Sequence, residues 1–314
     1  MNILITGGAG FIGANFCHYV YNQDDNFVCL DALTYAGNKE FLSGILDKPN
    51  FKFVHGNICD ETLVDSLFAT HNFDVVVNFA AESHVDNSVS NPQIFIDTNI
   101  TGVRVLLDAC KKYGVKKFHQ VSTDEVYGEL NDGDPAFTED SPLKPTSPYS
   151  ISKMTADLLA LSYHKIFGIG VTISRCSNNY GIYQHAEKFI PKSIKHLKNN
   201  ENIAVHGDGK NTRDWIHTLD HCQGIYKIIK KGRPGEVYNI GSNGEKTNVE
   251  VAKALIKHYG QTTGTIEFVP NRQSNDRRYA INYDKISKEL GYKPQYTFES
   301  SLPEIINWYK ENNF

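Results

Sequence analysis

The chain predicts an α/β protein, a doubly wound parallel sheet followed by a smaller C-terminal domain. Short β-branched apolar runs at residues 2–6, 27–30, 51–54, 75–79, 117–122 and 170–174 alternate with segments of helical periodicity. Such alternation folds as a parallel sheet with helices on both faces. After about residue 176 the rhythm breaks, and stretches rich in Asn, Lys and Gly at 198–213 and 241–247 separate shorter elements. The large domain is expected over 1–176, rejoined by parts of 213–240, with the smaller one mainly over 177–314.

The first strand, 2–6, runs into Thr6-Gly7-Gly8-Ala9-Gly10-Phe11-Ile12-Gly13. Glycines here permit a tight turn, let backbone N–H groups approach a pyrophosphate and bring the following helix close to the strand. Asp31 ends the second strand about 20 residues on, where an acid reaches the adenosine ribose. Together they make the sheet Rossmann-type, and a carboxylate with no Arg beside it favours NAD over NADP. Further along, Asn91-Pro92 caps a helix expected to run toward Lys112, and Gly114 ends it.

The strand KFHQVS leads into Ser122-Thr123-Asp124-Glu125-Val126-Tyr127-Gly128. Ligands of open parallel sheets bind beyond the carboxyl ends of strands, where this segment puts two carboxyls. Tyr149 and Lys153 in SPYSISK are spaced i, i+4 and share one helix face. An ammonium beside a phenol is expected to lower the phenol's pKa and make it a base for an alcohol. A carboxyl pair next to a ketone-forming Tyr supplies the base and the acid of an elimination.

Composition excludes several classes. Lys+Arg 32 against Asp+Glu 36 leaves a net charge of −4, with 22% charged and 40% hydrophobic residues. That profile offers no general field for nucleic acid or anionic lipid. No apolar stretch reaches the length of a membrane span. Cys17, Cys29, Cys59, Cys110, Cys176 and Cys222 are scattered without CxxC spacing, as expected of reduced thiols in a cytoplasmic protein. His217 and His221 have i, i+4 spacing but no third ligand, so no metal is expected. Apolar positions on more than one face of 92–112 and 148–167 (Ile100, Val103, Leu106, Leu107; Leu158, Leu159, Leu161) point to a homodimer.

TGGAGFIG, LTYAGN, AAESHVDNS, STDEVYG, SPYSISK, SNNYG, EKFIP, GDGKNTRDW and DRRYAIN occur in this order over nearly the whole chain. In this the sequence resembles the dTDP-glucose 4,6-dehydratases, a family of extended short-chain dehydrogenase/reductases. The resemblance implies bound NAD and a nucleotide-diphosphate hexose as substrate. Tyr149, with Lys153 and Thr123, would deprotonate the C4 hydroxyl during oxidation. Glu125 would take the C5 proton and Asp124 would protonate the departing C6 hydroxyl, with hydride return to C6. It also implies Gly7, Gly10, Phe11, Ile12, Gly13, Asp31, Asn57, Ile58, Ala80, Ala81, Tyr149 and Lys153 at the cofactor. Ser83, Asn178, Lys188, Arg213, Asn248, Arg272, Asn275 and Tyr279 would lie at the substrate, with His84 and Asp86 shaping the pocket floor. Relatives commonly pair the two apolar helices into a four-helix dimer interface.

Two departures stand out. The family's Gly-Asp-Ile reads Gly56-Asn57-Ile58, and its Arg-x-Gly-His-Asp-Arg-Arg-Tyr reads Arg272-Gln273-Ser274-Asn275-Asp276-Arg277-Arg278-Tyr279. The second leaves nucleotide and hexose open between dTDP-glucose, UDP-glucose and UDP-N-acetylglucosamine. A nucleotide-sugar 4-epimerase or decarboxylase and a non-catalytic NAD sensor are the other readings.

Overall fold

The computed structural model describes residues 1–22, 24–271 and 275–312. Seven strands form one parallel sheet: β1 (Asn2–Thr6), β2 (Asn26–Asp31), β3 (Phe51–His55), β4 (Val75–Asn78), β5 (Lys117–Thr123), β6 (Gly170–Cys176) and, far along the chain, β10 (Val237–Ile240). Their order is β10-β6-β5-β4-β1-β2-β3. The chain reverses direction across the sheet between β1 and β4, and a crevice opens there beyond the strand ends.

Side-chain alternation builds a core on each face. Ile3 and Ile5, Phe27 and Cys29, Val75 and Val77 point to one side, where α1 (Phe11–Val20) and α8 (Thr218–Lys231) supply Phe16, Val20, Ile225 and Ile228. Leu4, Val28, Leu30 and Val76 point to the other, against α2 (Glu61–Thr70), α5 (Val103–Tyr113) and α6 (Pro148–Phe167). At the reversal, Thr6 donates to Asn78 at 2.5 Å and Asn78 to Gln120 at 2.9 Å. This fully buried polar ladder pins the ends of three strands.

The short strands β7 (Asn178–Tyr180), β9 (Thr212–His217), β11 (Glu245–Thr247) and β13 (Arg278–Tyr279) form a second sheet, and β8 (Ile203–His206) pairs with β12 (Ile266–Val269). A third core under them gathers Ile194 and Leu197 from α7 (Phe189–Lys198), Val251 and Leu255 from α9 (Asn248–Tyr259), and Leu302 and Ile306 from α11 (Phe298–Glu311). The remaining helix α10 (Asp284–Leu290) returns Ile286 and Leu290 to the core of the large sheet.

The helix expected over 92–112 runs without a break from Pro92 to Tyr113, but not as a uniform α-helix. α3 (Val85–Ser90) precedes α4 (Pro92–Ile96), and a π-helical turn at Asp97–Gly102 joins α4 to α5. Asn99 explains the widening: its buried side chain accepts from Glu82 N at 2.8 Å and donates to Glu82 O and Ser152 Oγ. Those bonds fix the cavity wall to the helix. Of the apolar positions read as surplus to one sheet contact, Val103, Leu106 and Leu107 are buried in the sheet core, whereas Leu158 is exposed, as are Val89, Ile94, Ile96 and Ile151, which the reading did not name. Gly114 ends α5 in the left-handed conformation, as read from the sequence.

Candidate active site

A cavity of about 330 Å³ opens at the β1–β4 crevice. One half is backbone. Gly7 has φ +68°, and a Cβ there would stand 2.6 Å from Ala80 N; a Cβ on Gly13 would stand 2.1 Å from the Gly7 carbonyl oxygen. The turn therefore packs without room for any side chain. α1 starts behind it with no capping side chain and no acid in its first turn. Its first N–H groups and the positive end of its dipole are thus left to an anion. Asp31 closes this half, each oxygen accepting one backbone N–H, from Ala9 at 2.9 Å and from Leu33 at 2.8 Å. Gly10, Phe11, Ile12, Asn57, Ile58, Ala80 and Ala81 line the same walls.

The other half is built by β5 and α6. Thr123 ends β5, its hydroxyl accepting from Glu125 N at 3.2 Å and lying 3.4 Å from Asp124 Oδ1. α6 begins with Pro148 at its first position and a capping box between Ser147 and Ser150. That cap sets Tyr149 and Lys153 on the face turned to the cavity. Phe95 packs edge-on to the Tyr149 ring at 6.3 Å.

The two carboxyls differ. Burial, then the Glu125 and Asp214 carboxylates, pushes Asp124 well above the usual carboxylate range, and its Oδ2 is buried without a hydrogen-bond partner among the described residues. Asp124 is thereby biased toward its protonated form. Glu125 is only half-buried; burial pushes it up to about 7, against the pull of Arg213 and Lys188. Such a group is poised to take a proton near neutrality.

Comparison with known proteins now adds to the geometry. The family model described as GDP-mannose 4,6 dehydratase matches residues 4–305. A curated relative, the low-salt glycan biosynthesis protein Agl12 of Haloferax volcanii, is 48% identical over 98% of each chain. A dTDP-glucose 4,6-dehydratase of Actinoplanes sp. is 44% identical over 99% of this chain and 98% of its own. The chain belongs to the nucleotide-sugar 4,6-dehydratase family. Among solved structures, that of DesIV, a dTDP-glucose 4,6-dehydratase from Streptomyces venezuelae with NAD and TYD bound, superposes with a TM-score of 0.94 at 42% identity. It covers 99% of this chain and 98% of that one.

In this dehydratase the residues read from the sequence divide into groups. All those expected at the cofactor, the Thr123-Asp124-Glu125 triplet, Tyr149, Lys153, Ser83, Asn178 and Lys188 line one cavity. Lys188 reaches across it to the Ser83 carbonyl at 3.2 Å. His84 and Asp86 do not line it; His84 instead caps α3 through Asn87 N. Arg213, Asn248, Asn275 and Tyr279 do not line the cavity; they cluster with one another, and Arg213 is near enough to lower the Glu125 pKa. Arg213 on β9 lies opposite Tyr279 on β13, its guanidinium 4.6 Å from that ring and 3.5 Å from Asn275 Oδ1. Asn248 N donates to Asn211 O, and the Asn211 amide donates to Asn275 O. Arg272 lies outside the described residues. Asn57 uses its oxygen to accept from Cys59 N, which makes it a turn residue as well as a cavity wall.

One expectation is corrected. The Tyr149 phenol is not lowered but pushed well above its ordinary value, by burial and then by the Glu125 carboxylate, with only Thr123 pulling it down. Lys153 directs its ammonium to the Val121 carbonyl at 2.7 Å, and burial lowers its own pKa. Sequence spacing reports a shared helix face but not the cost of burying both groups.

Sequence reasoning also missed an acidic cluster on the cavity wall. Glu82 is buried and is raised by burial and by Glu187, while Glu187 itself lies 3.6 Å from His84, 3.7 Å from His185 and 3.7 Å from Lys188. The signal was present in the AAESHVDNS and EKFIP segments, but only folding brings the two together. His217 and His221 diverge. His217 Nδ1 accepts from Leu219 N and its ring stacks on Tyr296, whereas His221 is buried against Asn179.

Proposed function

We propose that this chain is an NAD-dependent dTDP-glucose 4,6-dehydratase, forming the 4-keto-6-deoxy sugar by loss of water across C5–C6. The observation that carries the reading is the adjacent carboxyl pair, Asp124 held well above the ordinary carboxylate range and Glu125 at about 7, lining one dinucleotide cavity with Tyr149. An epimerase or decarboxylase has no use for such a pair, nor has a sensor.

Gly7, Gly10, Gly13 and the α1 N-terminus would hold the NAD pyrophosphate, and the remaining lone pairs of Asp31 its ribose hydroxyls. The chemistry supplied by bound NAD is a reversible two-electron oxidation, which gives the sugar a C4 ketone within one turnover. To take the C4 hydroxyl proton Tyr149 must be a phenolate, which burial opposes; the Thr123 hydroxyl acts against that rise, and the Lys153 ammonium on the same helix face would supply the positive charge that favours ionisation. A C4 ketone acidifies C5, and Glu125 takes that proton. Asp124, biased toward its protonated form, gives a proton to the C6 hydroxyl, which departs as water. The hydride removed from C4 would return to C6 and Glu125 would return the proton to C5, so that the net change is the loss of one water. Asn178, Lys188 and Arg213 supply the amide and cationic donors a diphosphate requires, with Asn248, Arg272, Asn275 and Tyr279 around them. Residues 1–176 with parts of 213–240 would serve the cofactor and most of 177–314 the nucleotide sugar; β10 in the large sheet supports that division.

Incubation with dTDP-glucose, UDP-glucose and UDP-N-acetylglucosamine, followed by mass spectrometry, tests the reading. Loss of one water from dTDP-glucose without added cofactor is expected. No water loss from any of the three would overturn it.

Asn275 bears on the choice of sugar nucleotide. Its oxygen meets Arg213 only at the limit of a hydrogen bond. A charged hydrogen bond is worth about 1.5–3 kcal/mol and a neutral one about 0.5–1.5. Asn275→His is therefore expected to lower KM for dTDP-glucose roughly five- to ten-fold with little change in kcat. Equal KM values for parent and variant on all three sugars would show that position 275 does not read the substrate.

A homodimer and a cytoplasmic location complete the proposal. Val89, Ile94, Ile96, Ile151 and Leu158 leave an apolar surface across α3, α4 and α6, and covering it would remove that surface from water. Light scattering is expected to give twice the chain mass at micromolar concentration and a monomer for Ile94→Asp/Leu158→Asp. A monomeric parent would refute the dimer. All six cysteines are unpaired, which supports a reducing compartment.

A further inference from the structure

One turn beyond Lys153 on the same face of α6 lies Asp157, which the chemistry above does not use. Lys153 is 4% exposed and Asp157 is fully buried. Asp157 Oδ2 accepts from Arg175 Nε at 3.0 Å, in an ion pair withdrawn from solvent on both sides. Among the described residues, Asp157 Oδ1 and the hydroxyl of Ser122, beside Thr123 on β5, are buried with no hydrogen bond of good geometry, although Ser122 is close enough to lower the Asp157 pKa. The Arg175 guanidinium carbon is 4.9 Å from the Tyr127 ring centre, and Tyr127 ends the turn that carries Asp124 and Glu125. Arg175 thus pairs directly with Asp157, while Lys153, one turn away on the same helix face and bonded to the Val121 carbonyl, feels that carboxylate through space.

A buried ion pair by itself is weak support for stability, because desolvation offsets most of the attraction. This pair has a second consequence. An ammonium as deep as Lys153 keeps its charge only where an anion compensates for lost hydration. Facing Lys153 are Asp157 and, from β6, Cys176; facing Asp157 are Arg175, Lys153 and Ser122. Burial lowers Lys153, and Asp157 is the strongest influence raising it again.

We infer that Asp157 is a positioning residue for the dehydratase reaction: its buried carboxylate, shared between Arg175 and Lys153, holds Lys153 as an ammonium near Tyr149, and Arg175 tempers that effect. The inference rests on the proposed dehydratase function. Its signature is that the two members of one ion pair act with opposite sign. Without the carboxylate, two cations face each other and Lys153 loses its proton at lower pH. Without the guanidinium, the whole carboxylate field falls on Lys153, which then holds its proton to higher pH.

The experiment is the pH dependence of kcat on dTDP-glucose for four holoenzymes: parent, Asp157→Asn, Arg175→Gln and the double variant. The alkaline limb is expected to move down by about one pH unit in Asp157→Asn, up in Arg175→Gln, and to within about half a unit of the parent in the double variant. A purely structural pair would lower activity and melting temperature in both single variants without moving the limbs apart. Limbs that stay fixed, or move the same way, overturn the inference. If Asp157→Asn does not fold, the upward shift in Arg175→Gln and its cancellation in the double variant decide the question. If the parent dehydrates none of the three sugars, the dehydratase reading is what fails. A nuclear magnetic resonance titration of ¹⁵N-lysine protein then reads the same opposed shifts at Lys153 without turnover, and their absence refutes the role of Asp157.

Discussion

Glu125→Gln is expected to lower kcat roughly 100- to 10,000-fold, the range spanned by loss of a positioned general base. The amide keeps the shape of the side chain and its place after Thr123, so a folded protein that still carries NAD should result. In D₂O the variant should incorporate no deuterium at C5. Asp124→Asn, by contrast, should still exchange that proton while water loss slows, because only the acid for the leaving hydroxyl is gone. Deuterium incorporation at the parent rate in Glu125→Gln would refute the assignment.

The raised pKa of Glu125 adds two pH effects. The carboxylate must be ionised to act, so with a pKa of about 7 the parent is expected to retain about a tenth of its plateau activity at pH 6. Stability runs the other way. The folded-state pKa lies above the unfolded value, so the folded protein binds more protons between about 4.5 and about 7. Stability associated with this group is full below 4.5 and is lost as pH rises through 7. Gln carries no such penalty, so the melting temperature of Glu125→Gln should exceed that of the parent by more at pH 8 than at pH 5. An equal difference at both values would mean that Glu125 is not held above its ordinary range.

What the sequence disclosed was local. Alternating β-branched runs name the strands of the large sheet because both of its faces are covered. The glycine turn and the Tyr149–Lys153 pair are each contained within eight residues. What it concealed depends on contacts between distant segments. The π-helical turn at 97–102 arises because Asn99 is bonded to Glu82 and Ser152, which no periodicity in the helix itself records. Asp157 and Arg175 read as ordinary helix and strand residues until β6 lies beside α6. The direction of the Tyr149 shift was hidden for a different reason: it is decided by depth and by Glu125, neither of which shows in the spacing to Lys153.

Gly7→Ala carries the second large effect, and it tests the cofactor half independently of the carboxyls. Gly7 N donates to Leu30 O at 2.8 Å while the residue itself is left-handed at φ +68°. An alanine in that conformation costs about 1–2 kcal/mol. The strain is the smaller part. The new Cβ would stand 2.6 Å from Ala80 N and 2.8 Å from Ala80 Cα, which are main-chain atoms at the end of β4 and cannot rotate away. The turn must therefore shift outward, into the space assigned to the pyrophosphate. A displacement of about 1 Å at a binding element can cost 100-fold in rate. Purified Gly7→Ala is expected to lack the nicotinamide that the parent releases on denaturation, and to lose at least about 100-fold in kcat/KM without added NAD. Excess NAD should restore part of the rate if the turn is displaced but still folded. A variant that purifies with the parent's content of NAD would show that this turn does not cradle the pyrophosphate.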